Sequence, residues 1–101
     1  MKTIWKFGLG PVPSTLPATY LLENVPLVAE FVHFGLQGDE LCLWAIVDTE
    51  QPMLMQTVLL IGTGQGYPPE YDGRKYVGSV VVRPTDVVHA ILGPRKEYDK
   101  P

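Results

Sequence analysis

A glycine-rich stretch, IGTGQGYPPEYDG at residues 61–73, holds the residue types that could most directly do chemistry. Its Gly-Thr-Gly-Gln-Gly segment, 62–66, offers clustered backbone N–H groups, and glycines let a ligand approach the main chain closely. It lacks the Gly-Lys-Ser/Thr of a P-loop, and two prolines stand where a dinucleotide fingerprint needs a helix. The stretch therefore predicts a strand end with a turn, and a phosphate site only where cations approach it.

Basic residues are confined to the two ends of the chain. No Lys or Arg lies between Phe7 and Gly73, whereas eight acidic residues do, and the formal net charge is -3. Duplex nucleic-acid binding needs a basic patch or stripe, which the middle of this chain does not supply. Any cation that holds an anionic ligand must come from the first strand or from residue 74 onward.

Aromatic side chains are the second candidate for ligand contact. Trp5 directly precedes Lys6 and follows Lys2 by three positions, and an aromatic ring beside cations suits a nucleobase with an attached phosphate. The same combination suits a dimer interface. Trp44 stands in the most apolar run and is predicted to be core, while Tyr67 and Tyr71 are predicted to be exposed in a loop.

These observations together define one predicted ligand site. Its residues combine the glycine loop, the first-strand aromatic and lysine, a loop tyrosine and the late cations. The set is Trp5, Lys6, Gly62, Thr63, Gly64, Gln65, Tyr67, Arg74, Lys75 and Arg83.

Catalytic and metal-binding patterns are not apparent. His33, His89 and Cys42 do not match a zinc spacing, and Cys42 between two leucines predicts a buried, inert thiol. Ser79 with His89 lacks an evident third partner for a triad. We therefore expect no catalytic residues, no metal and no cofactor.

The dominant pattern along the chain is alternation of apolar and polar residues, which is typical of strands. Strands are predicted at 3–7, 19–25, 30–37, 40–48, 56–64, 76–83 and 87–93. Gly38–Asp39 predicts a tight hairpin, Pro84–Thr85–Asp86 predicts a turn, and PVPSTLP at 11–17 predicts a linker. The run 40–48 is apolar on both faces, which favours a central strand covered on both sides. Met53–Met55 precedes a strand and suggests either a binding surface or a loop over the core.

Size and composition bound the architecture. A chain of 101 residues, 46% hydrophobic and 19% charged, predicts one small globular domain. The fold class predicted is all-β and mainly antiparallel, a small β-sandwich or partly open barrel of six to seven strands. We assign 1–93 to a single β domain and 94–101 to a flexible charged tail. No membrane span or secretory signal is evident, and the single cysteine suits a reducing cytoplasm.

The motifs also resemble a family of small phage and bacterial proteins of unknown function. The likeness lies in KTIWKF at 2–7, in VHFGLQGDELCLWAIVD at 32–48, in Gly-Thr-Gly at 62–64 and in YVG at 76–78, and a histidine-bearing strand closes the chain. Members often carry a histidine directly after Gly-Thr-Gly, where this chain has Gln65. The resemblance covers nearly the whole chain, and it implies a phage setting and a host-cell cytoplasmic location rather than an activity.

Three functional hypotheses follow. The first is a non-enzymatic homo-oligomer that sequesters a nucleotide-derived immune signal at a subunit interface, as a counter-defence sponge. The second is an inhibitor of a host defence protein, with Asp39, Glu40, Asp48 and Glu50 docking a basic surface. The third is a phage structural or accessory protein. The expected partners are thus a second copy, a nucleotide-like small molecule or a host defence protein, with no membrane and no duplex nucleic acid.

Overall fold

The computed structural model describes residues 1–82 and 86–97. Within these ranges the chain forms seven strands and one short 3₁₀ turn. The strands are β1 (Lys2–Pro11), β2 (Ala18–Pro26), β3 (Ala29–Gln37), β4 (Glu40–Asp48), β5 (Met53–Gly62), β6 (Tyr76–Val81) and β7 (Val87–Lys96), and the 3₁₀ turn is Pro69–Tyr71.

The strands form two antiparallel sheets. The three-stranded sheet has the order β1-β4-β3, and the four-stranded sheet has the order β2-β5-β7-β6. The connections β1–β2, β2–β3 and β4–β5 each pass from one sheet to the other, whereas β3–β4 and β6–β7 are hairpins within a sheet. The all-β sandwich expected from the alternating pattern is confirmed.

The β3–β4 hairpin has the predicted two-residue loop. Gln37 pairs with Glu40, and Gly38 between them has a φ of +60°. Glycine adopts this left-handed conformation without the steric cost that a Cβ brings. The loop therefore fixes the register of β3 against β4.

The core lies between the two sheets and is built by alternate residues of each strand. On β4 the inward residues are Leu41, Leu43, Ala45 and Val47, all with no exposed area. They meet inward residues of the facing sheet, including Val58, Leu60, Val88 and Ala90. Burial of such side chains is the main favourable term in folding, about 1.5–3 kcal/mol for each large aliphatic residue.

The second face of β4 differs from the prediction. Trp44 was expected in the core, but it points outward with Ile46, is only half-buried and does not belong to the core cluster. Its strand is central in the sheet, as expected, yet no other layer of described residues covers this face. Cys42 on the same face is fully buried, as predicted. Its register partners are Gly8 and Gly35, and the side chains of Glu40 and His33 lie close to these two glycines.

A small second cluster lies on the outer face of the four-stranded sheet. Leu59 and Ile61 of β5 and Ile91 of β7 are covered there by Tyr71 of the 3₁₀ turn. Tyr71 is only 4% exposed, so the prediction that it is an exposed loop tyrosine is wrong. The apolar residues on this face of β5 and β7 require a cover, and the 3₁₀ turn supplies it.

β1 runs through Pro11 rather than ending at residue 7, and β5 and β7 also extend beyond their predicted bounds. Met53–Met55 belongs to β5 rather than to a loop, and β7 continues through Lys96 rather than ending at 93. Arg95 explains the extension of β7, because its Nε donates to Gln56 Oε1 at 2.9 Å and its Nη2 donates to the Ala29 carbonyl oxygen at 2.8 Å. Residues 94–96 are therefore part of the sheet, whereas most of the predicted 84–86 turn and the last four residues of the tail lie outside the described residues.

Candidate functional site

The glycine stretch forms a tight turn at the end of β5. The Gln65 N–H donates to the Gly62 carbonyl oxygen at 3.1 Å, which closes the turn. Gly64 within it has a φ of +85°, a conformation that a side chain would strain. The prediction that this stretch turns the chain is confirmed.

Gln65 ties this turn to the proline-rich linker. Its Oε1 accepts a hydrogen bond from the Gly62 N–H at 2.6 Å, and its Nε2 donates to the Leu16 carbonyl oxygen at 2.9 Å. One side chain thus connects the end of β5 with the linker at residues 12–17, although Gln65 and Leu16 are 49 positions apart in sequence. The position where the resembling family often has histidine is a structural link in this chain.

A pocket opens between the turn and the linker, and we call it the end pocket. Its volume is about 350 Å³, which lies at the small end of the usual range for ligand pockets. Val12, Leu16 and Val88 supply apolar lining, while Ser14, Thr63 and Gln65 supply polar groups. Asp86 adds a carboxylate to the lining, so the end pocket is of mixed polar and apolar character, with apolar residues and several polar groups that could fix a small molecule.

Thr63 also belongs to a network of hydrogen-bonded side chains on the outer face of the four-stranded sheet. Its Oγ1 lies 2.8 Å from His89 Nε2, and the Tyr76 hydroxyl lies 2.9 Å from His89 Nδ1. A neutral imidazole has one donor and one acceptor nitrogen, so one hydroxyl donates to the ring and the other accepts from it. His89 therefore orients Thr63 at the edge of the end pocket.

The hydrogen-bonded side chains of Thr63, His89 and Tyr76 do not form a complete catalytic triad. A triad needs a group that stabilises the imidazolium formed when histidine takes the hydroxyl proton. Tyr76 stands in that place with a phenol instead of a carboxylate. As a triad partner for His89, the sequence suggested Ser79, which does lie opposite it in the β6–β7 register. Thr63 and Tyr76 were missed because the three residues are far apart in sequence.

The predicted cations Arg74 and Lys75 lie elsewhere. Both line a separate surface cavity with Gln56 and Arg95, and the Lys75 carbonyl oxygen accepts a hydrogen bond from the Leu92 N–H at 2.9 Å. Leu92 is four residues along β7 from the partner of Gly62, which is about 14 Å of strand. Within one subunit these two cations therefore do not approach the glycine turn.

Trp5 and Lys6 are separated by the sheet itself. Trp5 packs against the core, whereas Lys6 is exposed on the outer face, opposite Trp44 in the β1–β4 register. Successive residues of a strand point to opposite faces, so a tryptophan and the lysine after it cannot hold the same ligand. The aromatic ring that accompanies Lys6 is Trp44, which sequence reasoning assigned to the core.

The remaining predicted site residues are also dispersed. Tyr67 is exposed, as predicted, and its hydroxyl donates to Asp72 Oδ1 at 3.2 Å. This hydrogen bond, together with the negative charge of Asp72, raises the pKa of Tyr67 above its ordinary value. Arg83 lies outside the described residues. Of the ten predicted residues, the end pocket is lined by Gly62, Thr63 and Gln65.

The acidic residues proposed to dock a basic partner are split between the two ends of β4. Asp39 and Glu40 stand at the β3–β4 hairpin, while Asp48 and Glu50 stand at the β4–β5 turn beside the N-terminus. The nine residues of β4 separate the two groups by roughly 27 Å. In the described ranges, no group of three or more histidine, cysteine or acidic side chains is arranged to hold a metal ion.

The family of this chain is decided by a match over nearly its whole length. Residues 1–100 match the model of a domain of unknown function, DUF7352. The chain belongs to the DUF7352 family. No curated protein and no solved structure matches it. In residues 1–82 and 86–97, this DUF7352 chain has no helix with the length and hydropathy needed to cross a membrane.

Proposed function

We propose that this DUF7352 chain binds a small molecule in the end pocket and retains it without transforming it. The observation that carries the proposal is the meeting of the Gly62–Gln65 turn and the 12–17 linker around a pocket of about 350 Å³. Two parts of the chain that are distant in sequence are held there by Gln65. Pockets of this kind need to be largely preformed in order to bind a ligand without a large ordering cost.

The lining favours a flat heterocycle with hydrogen-bonding edges. Val12, Leu16 and Val88 can cover the faces of such a ring, and the side chains of Ser14, Thr63 and Gln65 can meet its polar edge. A nucleoside-sized ligand matches this division. We therefore retain the nucleotide-like class of ligand but place only its base or sugar in the pocket, since Arg74 and Lys75 line another cavity.

The biological role that we propose for this binding is sequestration. A sequestering protein acts by mass action, so it needs abundance and affinity but no catalytic group. The support for a counter-defence setting is the resemblance to phage proteins. Binding without catalysis is supported by Tyr76, whose phenol stands where a triad requires a carboxylate.

A thermal-shift screen with matched variants tests the proposal. The ligands are nucleosides, mononucleotides, cyclic dinucleotides and cyclic ADP-ribose isomers. A ligand at about 100 times its Kd adds roughly 2.7 kcal/mol to the free energy of unfolding. Ser14→Trp fills the mouth of the pocket, and Thr15→Trp is the control, because Thr15 is its exposed neighbour and does not line the pocket.

The expected result is a ligand that raises the Tm of the wild type and of Thr15→Trp but not that of Ser14→Trp. A ligand that stabilises all three proteins equally would show that it binds elsewhere. No stabilisation by any member of the panel would overturn the proposed ligand class.

A further inference from the structure

A second cavity, lined by cations, opens at the other end of the four-stranded sheet from the end pocket, and we call it the basic cavity. Its volume is about 440 Å³. On β5, Gln56 lines the basic cavity and Gly62 lines the end pocket, and these two residues are about 20 Å of strand apart. The lining residues of the basic cavity are Gln56, Arg74, Lys75, Leu92, Gly93 and Arg95.

Arg95 is held beside this cavity by neutral acceptors. Its Nε donates to Gln56 Oε1 at 2.9 Å, and its two Nη atoms donate to the carbonyl oxygens of Leu27 and Ala29. Gln56 is buried, and its own Nε2 donates to the Gly93 carbonyl oxygen at 2.7 Å, which fixes the orientation of the amide. A guanidinium has five N–H donors, so two N–H groups of Arg95 have no partner among the described residues.

Arg74 and Lys75 are positioned by the loop that follows the 3₁₀ turn. The Arg74 N–H donates to the Tyr71 carbonyl oxygen at 3.2 Å, and the Lys75 carbonyl oxygen accepts from the Leu92 N–H at 2.9 Å. Tyr71 is buried, so the loop is attached to the sheet on both sides of the two cations. The Arg74 Nε donates to the Glu70 carbonyl oxygen at 3.2 Å, whereas its Nη groups and the Lys75 Nζ have no partner in the part of the chain that the structure describes.

No carboxylate in residues 1–82 and 86–97 balances these three charges. The ion pairs within these ranges join the N-terminal ammonium to Asp48 and Glu50, and the described lining of the basic cavity contains no acidic side chain. Cations around one concavity repel one another, and a cleft lined by one sign of charge concentrates counter-ions. A bound anion would relieve this repulsion, whereas the bonds of Arg95 to main-chain carbonyl oxygens do not.

The chemistry of the three cations favours a phosphate group over a carboxylate. Guanidinium groups bind phosphate oxygens through paired N–H donors, and lysine binds phosphate as a point charge. A phosphate monoester carries a charge of about -1.5 to -2 at pH 7, so it interacts with three cations more strongly than a monocarboxylate does. The formal net charge of -3 on the whole chain disfavours a nucleic-acid strand as the source of the phosphate.

We propose that the basic cavity binds the phosphate group of a small phosphorylated compound, with Arg74, Lys75 and Arg95 as the contacting residues. This site goes beyond the proposed function and does not rest on it. The end pocket is lined in part by the carboxylate of Asp86, which repels a phosphate group, and the two cavities share no lining residue. Either proposal can therefore fail alone.

Titration of the ¹⁵N-labelled protein with inorganic phosphate and with phenyl phosphate tests the site by NMR. Backbone amides and arginine Nε–H groups are followed at neutral pH and constant ionic strength, with sodium acetate as the comparison anion. Both phosphates should give saturable shifts at residues 74–75 and 92–95 and at the Arg95 Nε–H. Acetate should bind about tenfold more weakly or worse.

Variants assign the binding to the cations. Arg74 and Lys75 are exposed, so the double variant Arg74→Gln/Lys75→Gln should keep the fold and weaken phosphate binding by at least about tenfold. Lys6→Gln is the control for loss of a positive charge, because Lys6 lies in the other sheet and bonds to Gln37. Ser14→Trp, which fills the end pocket, should leave phosphate binding unchanged.

Three results would overturn the proposal: no saturable shift with either phosphate, acetate binding equal to that of phosphate, or undiminished phosphate binding by the double variant. A single-stranded oligonucleotide that binds the cavity more tightly than phenyl phosphate would also overturn it, because the source of the phosphate would then be a nucleic-acid backbone. Loss of phosphate binding in Ser14→Trp would show that the phosphate lies in the end pocket instead.

Discussion

The side-chain amide of Gln65 donates to the Leu16 carbonyl oxygen across 2.9 Å and, through its own oxygen, holds the Gly62 N–H. A single residue therefore connects the turn after β5 with the linker before β2. The end pocket lies between these two segments, so Gln65 both lines the pocket and holds its two sides together.

Replacing Gln65 with alanine should loosen both segments. Loss of the two hydrogen bonds is expected to lower the free energy of unfolding by about 1–3 kcal/mol, since each net bond contributes about 0.5–1.5 kcal/mol. Urea denaturation measures the change, with Thr15→Ala in the same linker as the control. Faster amide exchange at 12–17 and 62–66, without a general increase, is the local signature. An unchanged exchange pattern there would contradict the role of Gln65.

The two hydroxyls bonded to His89 should behave as one unit. Thr63→Val and Tyr76→Phe are each expected to lower the free energy of unfolding by about 0.5–1.5 kcal/mol. The loss of stability in the double variant should differ from the sum of the two single losses by about 0.5 kcal/mol or more, because both hydroxyls bond to the same imidazole. A double-mutant cycle in urea measures this coupling. Thr63→Val with Thr19→Val, which lies on β2 away from His89, is the additive control pair.

Gly93 is a position where a methyl group cannot be accommodated. A Cβ added there would clash with Thr57 Oγ1 and would lie 2.5 Å from Tyr71 Cε1. Gly93→Ala should therefore disturb the hydrogen bond from Thr57 to the Pro94 carbonyl oxygen and displace Tyr71 from the cluster that it covers. We expect a loss of about 1–3 kcal/mol, the usual cost of overpacking. Gly66→Ala is the matched control, because a Cβ there meets no atom within 4 Å. Equal stabilities of the two variants would show that Thr57 and the 3₁₀ turn both move aside without a loss of stability, which would contradict the prediction.

Asp48 should make the β4–β5 turn sensitive to acid. Its carboxylate accepts a hydrogen bond from the Glu50 N–H at 3.1 Å and another from the N-terminal ammonium at 3.3 Å. These contacts hold the pKa of Asp48 below its ordinary value of 3.8. Because the folded-state pKa is the lower one, the stabilisation is complete above the ordinary value and is lost as the pH falls through the folded value.

The Asp48→Asn variant should therefore have a lower free energy of unfolding than the wild type at pH 6. This difference in free energy should shrink as the pH falls below 3.8. Chemical denaturation across this range measures the gap. Asp39→Asn at the β3–β4 hairpin is the control. The contact is exposed and screened by salt, so the gap should also shrink at high ionic strength. A gap that is constant with pH would contradict the proposed role of the carboxylate.

The sequence by itself determined the strands, because alternation of apolar and polar residues is a local property of each segment. All seven predicted strands are present, and Gly38–Asp39 identified the β3–β4 hairpin because two-residue loops have strong local preferences. The glycine turn was identified for the same reason. The end of β1, the start of β5 and the end of β7 were missed, since these residues are held in their sheets by partners that are distant in sequence.

Only the tertiary structure decided which face of each strand is inside and which residues meet. Alternation divides a strand into two faces, but in β4 both faces are apolar, so Trp44 could not be assigned to the outer one from the sequence. Trp5 and Lys6 are neighbours in sequence and opposites in space, whereas Thr63, Tyr76 and His89 are distant in sequence and in contact. The order of the strands in the two sheets decides which residues meet. That order depends on burying the inward faces of all seven strands together, and no single segment of the sequence specifies it.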